Sequence, residues 1–214
     1  MKRIFLSLSF LAVVVIASAQ DDKFQKTMEQ TVTTLDSAKT PEDLKDVAAK
    51  FERIADAEKT QWLPYYYAAV ANIFVGFRDE KADKDALADK ADGLISKAIS
   101  LQPKNSEIYL AKSMSATLHM MVDPMNRWQK YGADLREAMM TARQLDPSNP
   151  RTYYWEGQNV MGTPEQFGGG KAKAKPIFEK SAELYKTSKP VSSIYPHWGE
   201  DINKQMLDMC SKPE

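Results

Sequence analysis

The chain has 214 residues, 43% of them hydrophobic, with 29 basic and 29 acidic residues, two histidines and one cysteine. That supports one medium domain or a short array with a real core, and an evenly mixed charge argues against a nucleic-acid or anionic-membrane partner. With Cys210 alone, no internal disulfide can form and stability must come from packing.

The chain opens on Lys2-Arg3, an apolar run from Ile4 to Ile16 and the small-x-small string Ala17-Ser18-Ala19. This is the pattern of a secretory signal peptide over 1–19, with an apolar run too short to span a membrane comfortably. The mature chain is expected to start at Gln20. Losing Lys2 and Arg3 leaves 27 basic against 29 acidic residues, a net of −2. No cysteine follows the apolar run, so the expected product is periplasmic or secreted rather than a lipoprotein, without an integral membrane segment after cleavage.

An N-terminal hairpin is expected over 20–60. Phe24, Met28, Thr31, Val32 and Leu35 form the stripe of a first helix. Thr40-Pro41-Glu42-Asp43 supplies a capping hydroxyl, a proline at the first helical position and two acids in the first turn of a second.

The array proper is predicted over 61–190. Ala91, Ile95, Ala98 and Pro103 repeat in spacing as Leu135, Met139, Ala142 and Pro147, and again as Ala174, Phe178 and Ser181. Steps of four and three keep these residues on one helical stripe, and the proline falls where the helix must stop. Each stripe is preceded by an opening helix marked by Pro64, Tyr67 and Ala71, by Ser106, Tyr109 and Ser113, or by Pro150, Tyr153 and Gly157. A repeated hairpin that cannot bury its own stripe must stack on its neighbours. The predicted fold is an all-α, right-handed helical-hairpin solenoid of about three A/B repeats. A C-terminal capping helix is expected over 191–214, started by Tyr195 to Glu200 with Trp198 as its anchor and bearing Ile202, Met206 and Met209.

These motifs resemble the tetratricopeptide repeat family over roughly Trp62 to Lys186, most closely in the string AKPIFEKSAELY from Ala174 to Tyr185. The segment PEQFGGGKAKAKPIFEKSA from Pro164 is similar to proteins with atypical repeats and an FGG loop. Those include the helical T-component of TRAP-type solute uptake and small exported proteins of Bacteroidetes type. The connections from helix A to helix B are longer than the family's roughly 34-residue unit accommodates. They are expected as rim loops carrying Phe77, Arg78, Trp128, Phe167, Gly168 and Gly169.

The resemblance also implies a concave wall made by helix A. Carried over by offset, it comprises Tyr65, Ala68, Asn72 and Val75, then Glu107, Leu110, Met114 and Thr117, then Arg151, Tyr154, Gln158 and Met161. Such a wall suits a peptide or an apolar ligand with a polar end.

No string for metal, acyl or phosphoryl chemistry is present, and Gly168-Gly169-Gly170 lacks a preceding strand. The expectation is a scaffold without catalytic residues or cofactor, whose partner is a protein, a peptide or a small apolar solute. The alternatives are an accessory component of periplasmic solute uptake and a methionine-based copper carrier. The copper alternative rests on Met114, His119, Met120, Met121 and Met125, since thioethers with imidazole suit Cu(I). Asp36-Ser37-Ala38 matches a short acceptor for O-glycosylation at Ser37, against its plainer reading as an interhelical linker.

Overall fold

A computed structural model describes residues 21–212, and the expected signal peptide lies outside them. The described residues are helical without strands. Helix α1 occupies 21–37, followed by α2 (Pro41–Ala57), α3 (Trp62–Arg78), α4 (Lys84–Leu101), α5 (Ser106–Val122) and α6 (Pro124–Leu145). Then come α7 (Pro150–Gly162), a 3₁₀ turn (Glu165–Phe167), α8 (Lys171–Tyr185) and α9 (Glu200–Ser211). None of these helices is long and apolar enough to cross a membrane.

Helix starts follow the capping residues. Thr40 and Asp43 form a reciprocal capping box at α2, with Pro41 inside the first turn. Asp83, Asn105, Asp123 and Asn149 each accept a backbone N–H of the helix they precede.

The repeated stripes bury as their spacing requires. Ala91, Ile95 and Ala98 are inaccessible or nearly so, as are Ala174, Phe178 and Ser181. Close approach depends on glycine at two places: between α3 and α5 a Cβ at Gly76 would fall 2.6 Å from Leu118, and between α7 and α8 one at Gly157 would fall 2.6 Å from Phe178. Helices pack in the order α2–α3–α4–α5–α6, and α7 packs with α8 and α8 with α9. The exception opens the molecule: α6 and α7 barely touch.

The connection lengths correct the expected rim. Phe77 and Arg78 belong to the last turn of α3. Pro124 to Trp128 belong to the first turns of α6, which follows α5 after Asp123 alone. The extra residues of the second hairpin lengthen a helix rather than form a loop. The first hairpin keeps a short loop over 79–83, and the third insertion is a loop turned by Gly168 and Gly170 at φ +85° and +94°. Between them Gly169 lies so close to the Thr163 carbonyl that a side chain would collide with backbone.

Trp198 precedes the last helix, in a non-helical segment between Lys186 and Gly199. That segment threads back to the start of the fold. The Tyr67 hydroxyl donates to the Ile194 carbonyl, Ser193 bonds Glu29, and His197 Nε2 sits 3.1 Å from Asp36. Helix α1 and the C-terminal segment thus cover the end of the stack together.

Candidate functional site

The gap between α6 and α7 is an open groove of about 1290 Å³. Its floor is aromatic. Phe74 from α3 meets Trp198 edge-on at 5.8 Å, Tyr154 from α7 meets the same indole at 6.2 Å, and Phe77 stacks on Trp155 at 5.5 Å. Met114, Thr117, Met120 and Met121 of α5 form one wall, continued by Met125, Trp128, Gly132 and Leu135 of α6. Gln158, Asn159 and Gly162 of α7, with Thr163, Pro164, Phe167 and Ile202, close the other side.

The mouth is unusually apolar. Trp128 is 54% exposed, Phe167 74% and Met125 84%. Surface patches of this kind mark binding sites.

Arg78 and Arg136 are the charged residues of the lining. The Tyr154 phenol is raised above its ordinary range by burial, so it stays protonated, and its oxygen accepts a hydrogen bond from Gln158 at 2.9 Å. The lining contains no histidine, cysteine, aspartate, glutamate or lysine.

Four of the wall residues expected from family offsets are in the groove: Met114, Thr117, Tyr154 and Gln158. Glu107 and Arg151 are not on its surface, a correction with a clear cause. They are a buried pair, 2% and 5% exposed, joined at 2.6 Å, with Asn149 also donating to Glu107. Leu110 is core, and Asn72 is buried with its amide on Ala68 and Glu52. Tyr65 packs against the core, as does Met161, which faces Cys210 at 3.9 Å. Of the rim residues, Phe77, Arg78, Trp128 and Phe167 line the groove, whereas Gly168 and Gly169 shape the turn behind it. Ser37 is exposed at the end of α1 with its hydroxyl on the Thr33 and Thr34 carbonyls.

The copper set is not assembled. Met114, Met120, Met121 and Met125 face the groove, but His119 lies on the opposite side of α5. There its ring stacks on Tyr131 at 4.7 Å, with Nδ1 3.2 Å from Asp85 and Nε2 3.1 Å from Asp92. Among the described residues, no cluster of His, Cys, Asp or Glu could hold a metal ion.

The offset rule missed Phe74, Leu135, Arg136 and Trp155, because it looked only along selected positions of helix A. The methionines and Trp198 were visible in the sequence, but as a metal cluster and a capping anchor.

A helical protein with one large apolar groove, aromatic below and thioether-rich at the side, is a ligand-binding architecture. The chain is similar to the HusA haemophore from Porphyromonas gingivalis, at 38% identity over 88% of this chain and 92% of that one, with a TM-score of 0.79. It belongs to the family of that haemophore. No protein-family model matches the chain, and no curated protein does.

Proposed function

We propose that this chain is a non-enzymatic exported carrier of a tetrapyrrole, with haem as the first ligand to test. The observation that carries the proposal is the groove. At about 1290 Å³ it exceeds the roughly 300–1,000 Å³ of ordinary small-molecule pockets. Aromatic faces and methionines give a broad planar ring system large contact area without directional demands. The kinship with a haemophore supports the same reading.

The lining also bears on how haem would be held. With no imidazole or thiolate in the groove and Tyr154 protonated, the available soft ligands for iron are thioethers. Retention then rests mainly on burial of the macrocycle, and a metal-free porphyrin binds as well.

The tetratricopeptide-like reading of the scaffold is supported by three consecutive hairpins, with the spaced stripes buried in the first and third and Met139 and Ala142 buried in the second. An open groove, rather than a closed tunnel through the stack, favours a holding scaffold over the T-component alternative. A protein or peptide partner remains the second reading, favoured by the exposed Trp128, Phe167 and Met125 at the mouth.

Titration of haemin into the mature chain tests the proposal. Trp128, Trp155 and Trp198 all line the groove, so binding should quench most tryptophan emission and shift the haemin Soret band, both saturably. Unchanged emission and an unshifted band across the titration would sink it.

A further inference from the structure

The groove carries charge of one sign. Arg78 reaches it from the last turn of α3 and Arg136 from the middle of α6. Three arginines outside the groove are paired with carboxylates: Arg127 with Asp85, Arg143 with Glu156 and Arg151 with Glu107. Among the described residues, neither groove arginine has a carboxylate partner. Arg78 gives one N–H to the Ala38 carbonyl and keeps the rest of its fork. The Arg136 guanidinium lies over Gly132, where an added Cβ would sit 3.4 Å from its Nη1. A bare backbone at Gly132 leaves that guanidinium low against the groove wall.

An arginine fork pairs with a carboxylate through two parallel hydrogen bonds, more strongly where apolar walls exclude water. Two such forks without counterions, in a lining free of acids, repel a cation and leave a neutral apolar ligand indifferent. They reward an anion.

We propose that Arg78 and Arg136 receive the carboxylates of the groove's ligand, so that the protein selects tetrapyrroles bearing free acid side chains over esterified or uncharged ones. This rests on the tetrapyrrole reading above and deepens it, because the macrocycle supplies the contact area while the arginines supply the choice.

Protoporphyrin IX and its dimethyl ester are the probes, compared by tryptophan quenching in the wild type, Arg78→Met, Arg136→Met and the double variant. Methionine keeps the apolar stem and removes the charge. Arg53→Met, at an exposed position of α2 outside the groove, is the control. The wild type and control should bind the free acid at least about tenfold more tightly than the ester, in keeping with a partly exposed charge-assisted pair. Each single variant should narrow that preference, and the double variant should abolish it with ester affinity unchanged. Raising ionic strength should shrink the wild-type preference without touching the ester.

Equal binding of acid and ester by the wild type overturns the proposal and leaves the tetrapyrrole reading standing. So does an equal loss of both probes in the arginine variants, which would mark a packing role. Failure of both probes to bind the wild type overturns the tetrapyrrole reading itself, and the selection with it.

Discussion

Trp198 donates its indole N–H to the Tyr66 hydroxyl across 3.0 Å, though 132 residues separate the two in sequence. The same hydroxyl donates to Glu107 at 3.3 Å, and Glu107 is held by Arg151. A buried polar chain therefore ends on the ring that forms the groove floor. The burial that makes this pair expensive to break is what fixes the floor in place.

Replacing Trp198 tests both ends of that relationship. Trp198→Phe keeps an aromatic floor and loses one hydrogen bond, so stability should fall by about 1 kcal/mol with ligand binding largely retained. Trp198→Ala removes the floor, and about 3 kcal/mol of stability should go with most of the affinity for haemin. Denaturant melts paired with haemin titration separate the two effects.

The buried pair gives a sharper stability contrast. Glu107→Gln or Arg151→Met leaves one charged partner without its counterpart in the core, and should cost about 3–5 kcal/mol. Replacing both, as Glu107→Leu with Arg151→Met, should cost less than either alone. Thermal unfolding of the three variants checks the order, and a double variant weaker than both singles would refute it.

Glu107 and Arg151 also mark where sequence reading stops. Helix periodicity, caps and the small–large–small stripes were legible because they depend on local spacing, and Ala91, Ile95, Phe178 and Ser181 are buried as that spacing requires. Family offsets singled out Met114 and Tyr154, and both line the groove, where neighbouring hairpins diverge. They misplaced Glu107 because nothing local says that Arg151, 44 residues away, will meet it. The groove itself exists because α6 and α7 separate, a tertiary fact with no local signature.

The outer wall of the groove should respond to acid. None of residues 124–131 is buried, so the start of α6 is held chiefly by Arg127 on Asp85 and by Tyr131 stacked on His119. Hydrogen bonds from Arg127, and secondarily from His119, hold the Asp85 carboxyl below the usual carboxylate range. A depressed carboxylate stabilises the fold above its unfolded pKa, and that contribution disappears as pH falls through the folded value. Amide exchange over 124–131, corrected for intrinsic rate, should therefore be flat near neutrality and rise below about pH 4. Asp85→Asn should raise it already at neutral pH, and an unaltered profile in that variant would dismiss the latch.

The exposed rings at the mouth should behave in the opposite way to Trp198. Trp128 and Phe167 are 54% and 74% exposed, so neither is fixed by a tightly packed surround. Truncating an exposed ring forfeits little folding energy, and surface changes usually fall within about 0.5 kcal/mol. The same rings become contact area only when a ligand lies over them, and central aromatic anchors commonly carry 2 kcal/mol or more of binding, roughly thirtyfold in affinity. Trp128→Ala and Phe167→Ala should thus leave the melting temperature nearly unchanged while weakening haemin binding about tenfold or more. The loss should appear as faster release, since neither ring carries charge to steer association. Stopped-flow transfer of haemin to excess apomyoglobin reads that release rate directly. A rate equal to the wild type in both variants would place the bound ligand deeper, on Trp198 and Tyr154 alone.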